Sequence, residues 1–179
     1  MTTGRIRLRS VLFWIAFLPA TSALCSSSPG NRPWHIRILA RILALGHRIG
    51  SRSYGHVDLT TLTEAAIEAD VRRAERVLGA ALGVDKVFRP PHGRHDGRVR
   101  RVLAALGHEM VLWDTDTRDW DHEYWPDLWV SHRVRRIRSK RRTVVLAHDP
   151  QPNTATYFEA LLTQLADSGL IDYQDPFTL

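Results

Sequence analysis

The sequence has few features that would place it outside the ordinary globular proteins. Its 179 residues include one cysteine, Cys25, so an internal disulfide is excluded. No aspartate or glutamate occurs before Asp58. The apolar run at residues 11–18 is too short to span a bilayer as a stable helix, so no stable transmembrane span is predicted. No internal repeat is present, and the one low-complexity tract is a short run of serines at 26–28.

The composition is that of a soluble globular domain with an excess of positive charge. Apolar residues make up 44% and charged residues 25% of the chain, which is enough for one domain with a hydrophobic core. Arginine supplies most of a net charge of +6, which indicates affinity for anionic surfaces or polymers. The most basic stretch, residues 132–142, carries an apolar stripe and predicts a helix with a solvated basic face. No recognisable nucleic-acid-binding module accompanies it, so nucleic acid is not an expected partner.

Residues 1–33 form an N-terminal segment that allows two interpretations. Basic residues, the apolar run at 11–18 and small residues at 20–23 follow one another in the order of a secretory signal peptide. Alternatively, residues 11–18 and 20–25 are buried strands. The first interpretation places the protein outside the cell or in the cell envelope, and the second places it in the cytoplasm.

From residue 34 to residue 179 the sequence alternates between helical and strand patterns. The predicted helices are residues 33–46, 61–82, 96–107, 126–138 and 155–168, and predicted strands lie around Ile49 and at 86–88, 110–113, 143–147 and 170–173. Thr61 with Glu64 is expected to form a capping box at the start of the second helix. The alternation predicts an α/β fold with a parallel sheet.

Four polar stretches each follow a predicted strand, where α/β folds carry their chemistry. They are Gly46-His47-Arg48-Ile49-Gly50-Ser51-Arg52-Ser53-Tyr54-Gly55-His56-Val57-Asp58-Leu59, Phe88-Arg89-Pro90-Pro91-His92-Gly93, Leu112-Trp113-Asp114-Thr115-Asp116-Thr117-Arg118-Asp119-Trp120 and Val144-Val145-Leu146-Ala147-His148-Asp149. Taken in order, they resemble the motifs of the polysaccharide deacetylase family, also called the NodB-like or carbohydrate esterase family 4 domain. The resemblance covers roughly residues 34–175, and four ordered motifs are a far stronger signal than one.

The resemblance implies a distorted (β/α) barrel that removes acetyl groups from N-acetylated glycans such as chitin or peptidoglycan. Water attacks an acetamide carbonyl, a base takes a proton from the water, and an acid protonates the leaving amine. The family's divalent metal, expected to be zinc, is held by a carboxylate of a first Asp-Asp motif and by two histidines. Only His56 matches one of these ligands, because Arg52 replaces the other histidine and the Asp-Asp motif is not found.

The same resemblance assigns roles to residues of the later motifs. His148 matches the general acid, Asp119 matches the carboxylate that hydrogen-bonds this histidine, and Arg89 matches the residue that orients the catalytic Asp. The substrate-binding positions are Pro91, His92 and Trp120. His92 stands where the family usually has Tyr, and its backbone N–H would contribute to the oxyanion hole. We expect these catalytic residues and His56 to converge on one pocket at the C-terminal ends of the strands.

The departures from the family pattern leave three functions open. They are an N-deacetylase of N-acetylated glycans, a truncated and inactive relative that binds glycans, and a basic protein that binds polyanions. The incomplete ligand set predicts that zinc is not held in stoichiometric amount and that deacetylation is near background. The missing first motif also predicts an incomplete barrel, without its first strand and helix and open at that edge.

Overall fold

The computed structural model describes residues 15–18, 33–124, 128–140, 143–148 and 151–167. These residues fall into two compact units, an N-terminal unit within Trp14–Leu112 and a C-terminal unit from Trp113 onward. The strands are β1 (Ile15–Leu18), β2 (Arg48–Ser51), β3 (Val87–Phe88), β4 (Glu109–Met110), β5 (Thr115–Asp116) and β6 (Val145–Leu146). The helices are α1 (Pro33–Ala44), α2 (Glu64–Leu78), α3 (Gly97–Ala105), α4 (Leu128–Arg138) and α5 (Pro152–Asp167).

The N-terminal unit is built on a four-stranded parallel sheet in the order β1-β2-β3-β4. Helices α1, α2 and α3 connect successive strands, because parallel neighbours need a crossover connection. Ser51 at the end of β2 pairs with Leu18 of β1 and with Phe88 of β3, so the three strands end at the same edge. The predicted α/β fold with a parallel sheet is confirmed.

Strand β1 and helix α1 precede β2, so the expectation that the first strand and helix are absent is wrong. All four residues of β1 pair in register with β2. Residues 20–25, the second predicted strand of the N-terminal segment, lie outside the described residues. Cleavage of residues 1–23 as a signal stays a prediction.

Helices α2 and α3 pack on the sheet and contribute two residues each to the first core. The fully buried residues of this core are Leu59, Ile67, Val71, Phe88, Val99 and Leu103. The Thr63 hydroxyl accepts a hydrogen bond from the Ala66 N–H and caps the helix. The predicted capping box of Thr61 with Glu64 is therefore wrong, because Thr61 belongs to a 3₁₀ turn that Asp58 caps.

The C-terminal unit combines a two-stranded parallel sheet, β5 with β6, and two helices that pack on each other, α4 and α5. The single strand predicted at 110–113 is instead two short strands, β4 and β5, one in each unit. The helix predicted from residue 126 is described from Leu128 onward, and the strand predicted at 170–173 lies outside the described residues. No helix in the described part of the chain is long and apolar enough to cross a membrane.

The core of the C-terminal unit consists of apolar residues on the facing sides of α4 and α5. They are Trp129, Val130, Val134, Ile137, Leu161 and Leu165. The opposite side of α4 is basic and exposed, as predicted, and carries Arg135, Arg136 and Arg138. The apolar stripe of α4 therefore stabilises the unit while these three arginines face solvent, whereas Arg133 of the same helix is buried and donates to the Thr117 carbonyl.

Replacement of Trp129 by alanine should strongly destabilise the C-terminal unit. Trp129 is 0% exposed and its neighbour Leu128 is 56% exposed on the same helix. Burial and packing of a large aromatic side chain predict a loss of about 3–5 kcal/mol for Trp129→Ala, whereas Leu128→Ala should cost less than about 0.5 kcal/mol. Urea unfolding followed by far-ultraviolet circular dichroism measures both. Equal losses for the two variants would contradict this packing.

Candidate active site

The loop after β2 begins with a buried arginine and ends with the predicted metal ligand. Arg52 is 8% exposed and Ser53 is fully buried. Ser53 and His56 have φ of 67° and 51°, a left-handed backbone that is uncommon for residues other than glycine. The Ser53 hydroxyl accepts a hydrogen bond from the His56 N–H at 2.9 Å, which stabilises this turn.

Helix α2 fixes the same loop through a carboxylate that the motifs did not identify. Asp70 accepts hydrogen bonds from the backbone N–H groups of Tyr54 at 2.8 Å and of Gly55 at 2.9 Å. The side chain of Arg73 lies over the Tyr54 ring, 3.7 Å from its centroid. Charged residues are common on the exposed face of an amphipathic helix. The sequence therefore gives no signal that Asp70 binds this loop.

The residues at the predicted metal position do not fit a metal ion. The Nε–H of Arg52 donates a hydrogen bond to Nε2 of His56 at 2.8 Å, so the ring nitrogen that would bind a metal already has a partner. A guanidinium has no lone pair to donate and stays positively charged. In the described ranges no group of three histidine, cysteine or acidic side chains is placed to hold an ion. The Arg52–His56 pair takes the place of two ligands of the family's metal.

Arg89 lies directly after β3, next to the loop that contains Arg52. Its backbone N–H donates to the Ser51 carbonyl at 2.9 Å, and its Nε–H donates to the Val111 carbonyl at 3.3 Å. The residue is 5% exposed. Burial first, and the positive charge of Arg52 second, lower the pKa of Arg89 to about 9. Arg89 is therefore a buried cation at neutral pH.

The turn after Arg89 contains two predicted substrate-binding residues, of which one is buried and the other exposed. Pro91 is buried and His92 is exposed. His92 has φ of 55°, and its ring meets the His56 ring edge-on with 5.0 Å between centroids. The structure thus brings His92 and Arg89 together with the Arg52–His56 pair, all within the N-terminal unit.

The C-terminal unit contains a buried carboxylate that holds the predicted general acid. Asp119 is 0% exposed and accepts hydrogen bonds from the His148 backbone N–H at 2.6 Å and from Nδ1 of His148 at 2.8 Å. The Thr154 hydroxyl of α5 donates to the same carboxylate. Burial alone would raise the pKa of Asp119, but the hydrogen bonds from His148 and Thr154 outweigh it and lower the pKa.

The short strands β5 and β6 explain why Asp119 and His148 meet. They are parallel partners, and beyond them the Thr117 N–H donates to the Leu146 carbonyl at 3.0 Å. Asp119 and His148 follow these strand ends within three residues, so the sheet edge sets their separation. Because Nδ1 donates to the carboxylate, Nε2 of His148 is the nitrogen left to give a proton to a substrate.

Trp120 is 46% exposed although it follows the fully buried Asp119. An exposed tryptophan next to Asp119 in the sequence is compatible with the predicted wall of a sugar pocket, and its contact with substrate stays a prediction. Convergence of Arg89, Asp119, His148 and His56 on one pocket also stays a prediction. Thr154 is the functional partner that the motifs missed, because it lies in a helix six residues beyond His148.

Comparison with known proteins gives the same family as the four motifs. The family model for polysaccharide deacetylase matches residues 18–111, beginning at the last residue of β1. Chitin deacetylase 1 of Saccharomyces cerevisiae is 32% identical over 117 residues, covering 63% of this chain and 39% of that protein. The chain therefore spans about two fifths of the length of this curated relative.

Solved structures share the fold. A family 4 carbohydrate esterase from Streptomyces lividans, solved in complex with acetate, has a TM-score of 0.71 at 23% identity and covers 93% of this chain and 91% of that chain. A family 4 pseudoenzyme from Bacillus anthracis has a TM-score of 0.66 at 25% identity, covering 77% of this chain and 48% of that chain. The predicted barrel-type α/β fold is confirmed by these likenesses.

Members of this family are generally metal-dependent, and in that respect the Arg52–His56 pair is a departure. The family match covers the N-terminal unit, which holds this pair and Arg89, and the structural likenesses extend over most of the chain. The chain belongs to the polysaccharide deacetylase family.

Proposed function

We propose that the protein is a carbohydrate N-deacetylase of the polysaccharide deacetylase type, directed at N-acetylated glycans of the chitin or peptidoglycan kind, and that hydrolysis by this chain is impaired. The observation that carries the proposal is the pairing of buried Asp119 with partly exposed His148 at the ends of β5 and β6. Relatives named chitin deacetylase and a structure of a peptidoglycan N-acetylglucosamine deacetylase support the glycan class.

The intact half of the site has a clear chemical role. Cleavage of an acetamide breaks the bond between the carbonyl carbon and nitrogen, and the nitrogen must gain a proton as it leaves. His148 supplies that proton from Nε2, while Asp119 holds Nδ1 and stabilises the charged ring. The exposed face of Trp120 offers an apolar surface for a sugar ring.

The other half lacks what is needed to activate water. The residues after β1 are Pro19, Ala20, Thr21 and Ser22, and none of them is a carboxylate that could act as a base. Zinc, the metal we propose for the family reaction, would need ligands at the position that the hydrogen-bonded Arg52–His56 pair occupies. Slow hydrolysis follows because residues 19–22 and the Arg52–His56 pair supply neither the base nor the metal ligands that the family reaction needs.

A second candidate function is glycan binding without hydrolysis, and the Arg52–His56 hydrogen bond favours it. A structurally similar protein from Bacillus anthracis is described as a pseudoenzyme of the same family. The two candidates share the glycan and differ only in whether any turnover occurs. If wild-type protein releases acetate and His148→Ala does not, the protein is an enzyme and not only a glycan-binding protein.

Titration with chitotetraose tests the glycan class directly. Wild-type protein should bind it in isothermal titration calorimetry, and Trp120→Ala should weaken binding about tenfold, because stacking on an aromatic ring is lost. Trp120→Phe retains an aromatic face and serves as the matched control. Absence of binding by folded wild-type protein, or equal affinity for all three proteins, would contradict the proposal.

A further inference from the structure

Two buried arginines follow neighbouring strands of the N-terminal sheet. Arg52 comes directly after β2 and Arg89 directly after β3, and the backbone N–H of Arg89 donates to the carbonyl of Ser51 at 2.9 Å. They are 8% and 5% exposed, respectively. The charge of Arg52 is close enough to lower the pKa of Arg89. Positive charge is therefore concentrated where the family holds a divalent cation with anionic ligands.

The guanidinium of Arg52 has a defined orientation. Its Nε–H donates to Nε2 of His56, and a second imidazole, His92, packs edge-on against His56. Anchoring through Nε leaves the edge formed by the two Nη groups, which carries two parallel N–H donors that match a carboxylate. The side chain is therefore held in a conformation suited to bidentate binding.

Arg52 has no carboxylate partner among the residues that the structure describes. The two acidic side chains in or hydrogen-bonded to this loop have other partners. Asp58 forms an ion pair with Arg94 at 2.8 Å, and Asp70 accepts the N–H groups of Tyr54 and Gly55. A buried cation without a counter-charge is costly, and a bound anion would relieve that cost.

We propose that Arg52, with the neighbouring charge of Arg89, forms a carboxylate-binding site at the end of β2, in the position where relatives hold a metal ion. The ligand class that fits is a carboxylate carried by an anionic N-acetylated glycan. The net charge of +6 favours such a polymer at longer range. The carboxylate site stands on the arginine geometry alone, whereas its assignment to a glycan rests on the proposed function.

Matched pairs of ligands separate these two statements. Acetate and acetamide have nearly the same shape and differ in charge, so they test the carboxylate site. A hyaluronan tetrasaccharide and chitotetraose have the same length, and only the first carries carboxylates, so they test the glycan source. Binding is followed by NMR chemical-shift changes at constant ionic strength, with wild-type protein, Arg52→Gln and Arg37→Gln. Arg37 is exposed on α1 and serves as the matched control for loss of one positive charge.

Wild-type protein should bind acetate about tenfold more tightly than acetamide, and Arg52→Gln should remove this preference while Arg37→Gln keeps it. The hyaluronan tetrasaccharide should likewise bind about tenfold more tightly than chitotetraose. Preference for acetate without preference for hyaluronan would support the site with a free carboxylate as its ligand. Equal binding of acetate and acetamide by wild-type protein would overturn the proposal, whether or not Arg52→Gln folds. Loss of chitotetraose binding alone would count against the proposed function and leave the carboxylate site standing.

Discussion

Purified protein should contain no stoichiometric zinc and should release acetate from chitotetraose at close to the background rate. A catalytic zinc site normally has three protein ligands, and here only His56 matches a ligand of the family and it is already hydrogen-bonded to Arg52. The guanidinium would also repel a divalent cation placed at this point. Elemental analysis by inductively coupled plasma mass spectrometry, together with an assay for free acetate, measures both quantities. About one zinc per chain, with activity lost on chelation, would show that residues other than these complete a metal site and would contradict the prediction.

A series of variants separates the missing histidine from the missing carboxylates. Leu18, the last residue of β1, pairs with Ser51, so Pro19 and Arg52 are the residues that follow the two paired strand ends. Arg52→His alone should bind zinc weakly and remain inactive, because the carboxylates are still absent. Pro19→Asp with Ala20→Asp should also fail, because Arg52 remains.

The combination of all three changes should restore a three-ligand site, with about one zinc per chain and acetate release well above background. The matched control adds His148→Ala to the combined variant, which should keep the zinc and lose the activity. Activity in Arg52→His alone would mean that a carboxylate from elsewhere in the chain completes the site. Zinc without activity in the combined variant would instead place the defect outside the metal position.

The contact between Asp119 and His148 was predictable because both residues follow strands within a few positions. Asp119 and His148 come after β5 and β6, and a parallel pair of strands brings their ends together. Thr154 was not predictable, because it lies in α5 and reaches Asp119 across 35 residues of sequence. Asp70 escaped prediction for the same reason, since its bonds to the loop after β2 depend on how α2 packs.

The residues of the first strand fit two sequence patterns, so the sequence alone does not decide between them. An apolar run of eight residues after basic residues fits the pattern of a signal peptide and also that of a buried strand. Pairing with β2 is a non-local contact that no local pattern encodes. The strand predicted at 110–113 failed for a related reason, because β4 and β5 pair with different strands and the apolar run between them belongs to neither.

The second large effect is expected at Asp119, and it concerns stability as well as chemistry. The carboxylate is fully buried and receives three donors, two from His148 and one from Thr154. Asp119→Ala leaves these donors without an acceptor inside the protein, and we expect a loss of about 3–5 kcal/mol. Asp119→Asn keeps the shape and one acceptor and should cost about 1–3 kcal/mol. Glu159→Ala, an exposed acid on α5, is the control and should change stability by less than about 0.5 kcal/mol.

The pH dependence distinguishes the charge of Asp119 from its packing. Its pKa is lower in the folded protein than in the unfolded chain, because hydrogen bonds from His148 and Thr154 outweigh the effect of burial. A carboxylate of this kind stabilises the fold above its unfolded pKa of about 3.9, and the contribution disappears as the pH falls through the lower folded value. The stability gap between wild-type protein and Asp119→Asn should therefore be full at neutral pH and should narrow below about pH 4. Urea unfolding at a series of pH values measures the gap. A gap that is absent at neutral pH, or that persists unchanged into acid, would mean that the carboxylate charge does not hold His148, and the role given to His148 as the acid would lose its support.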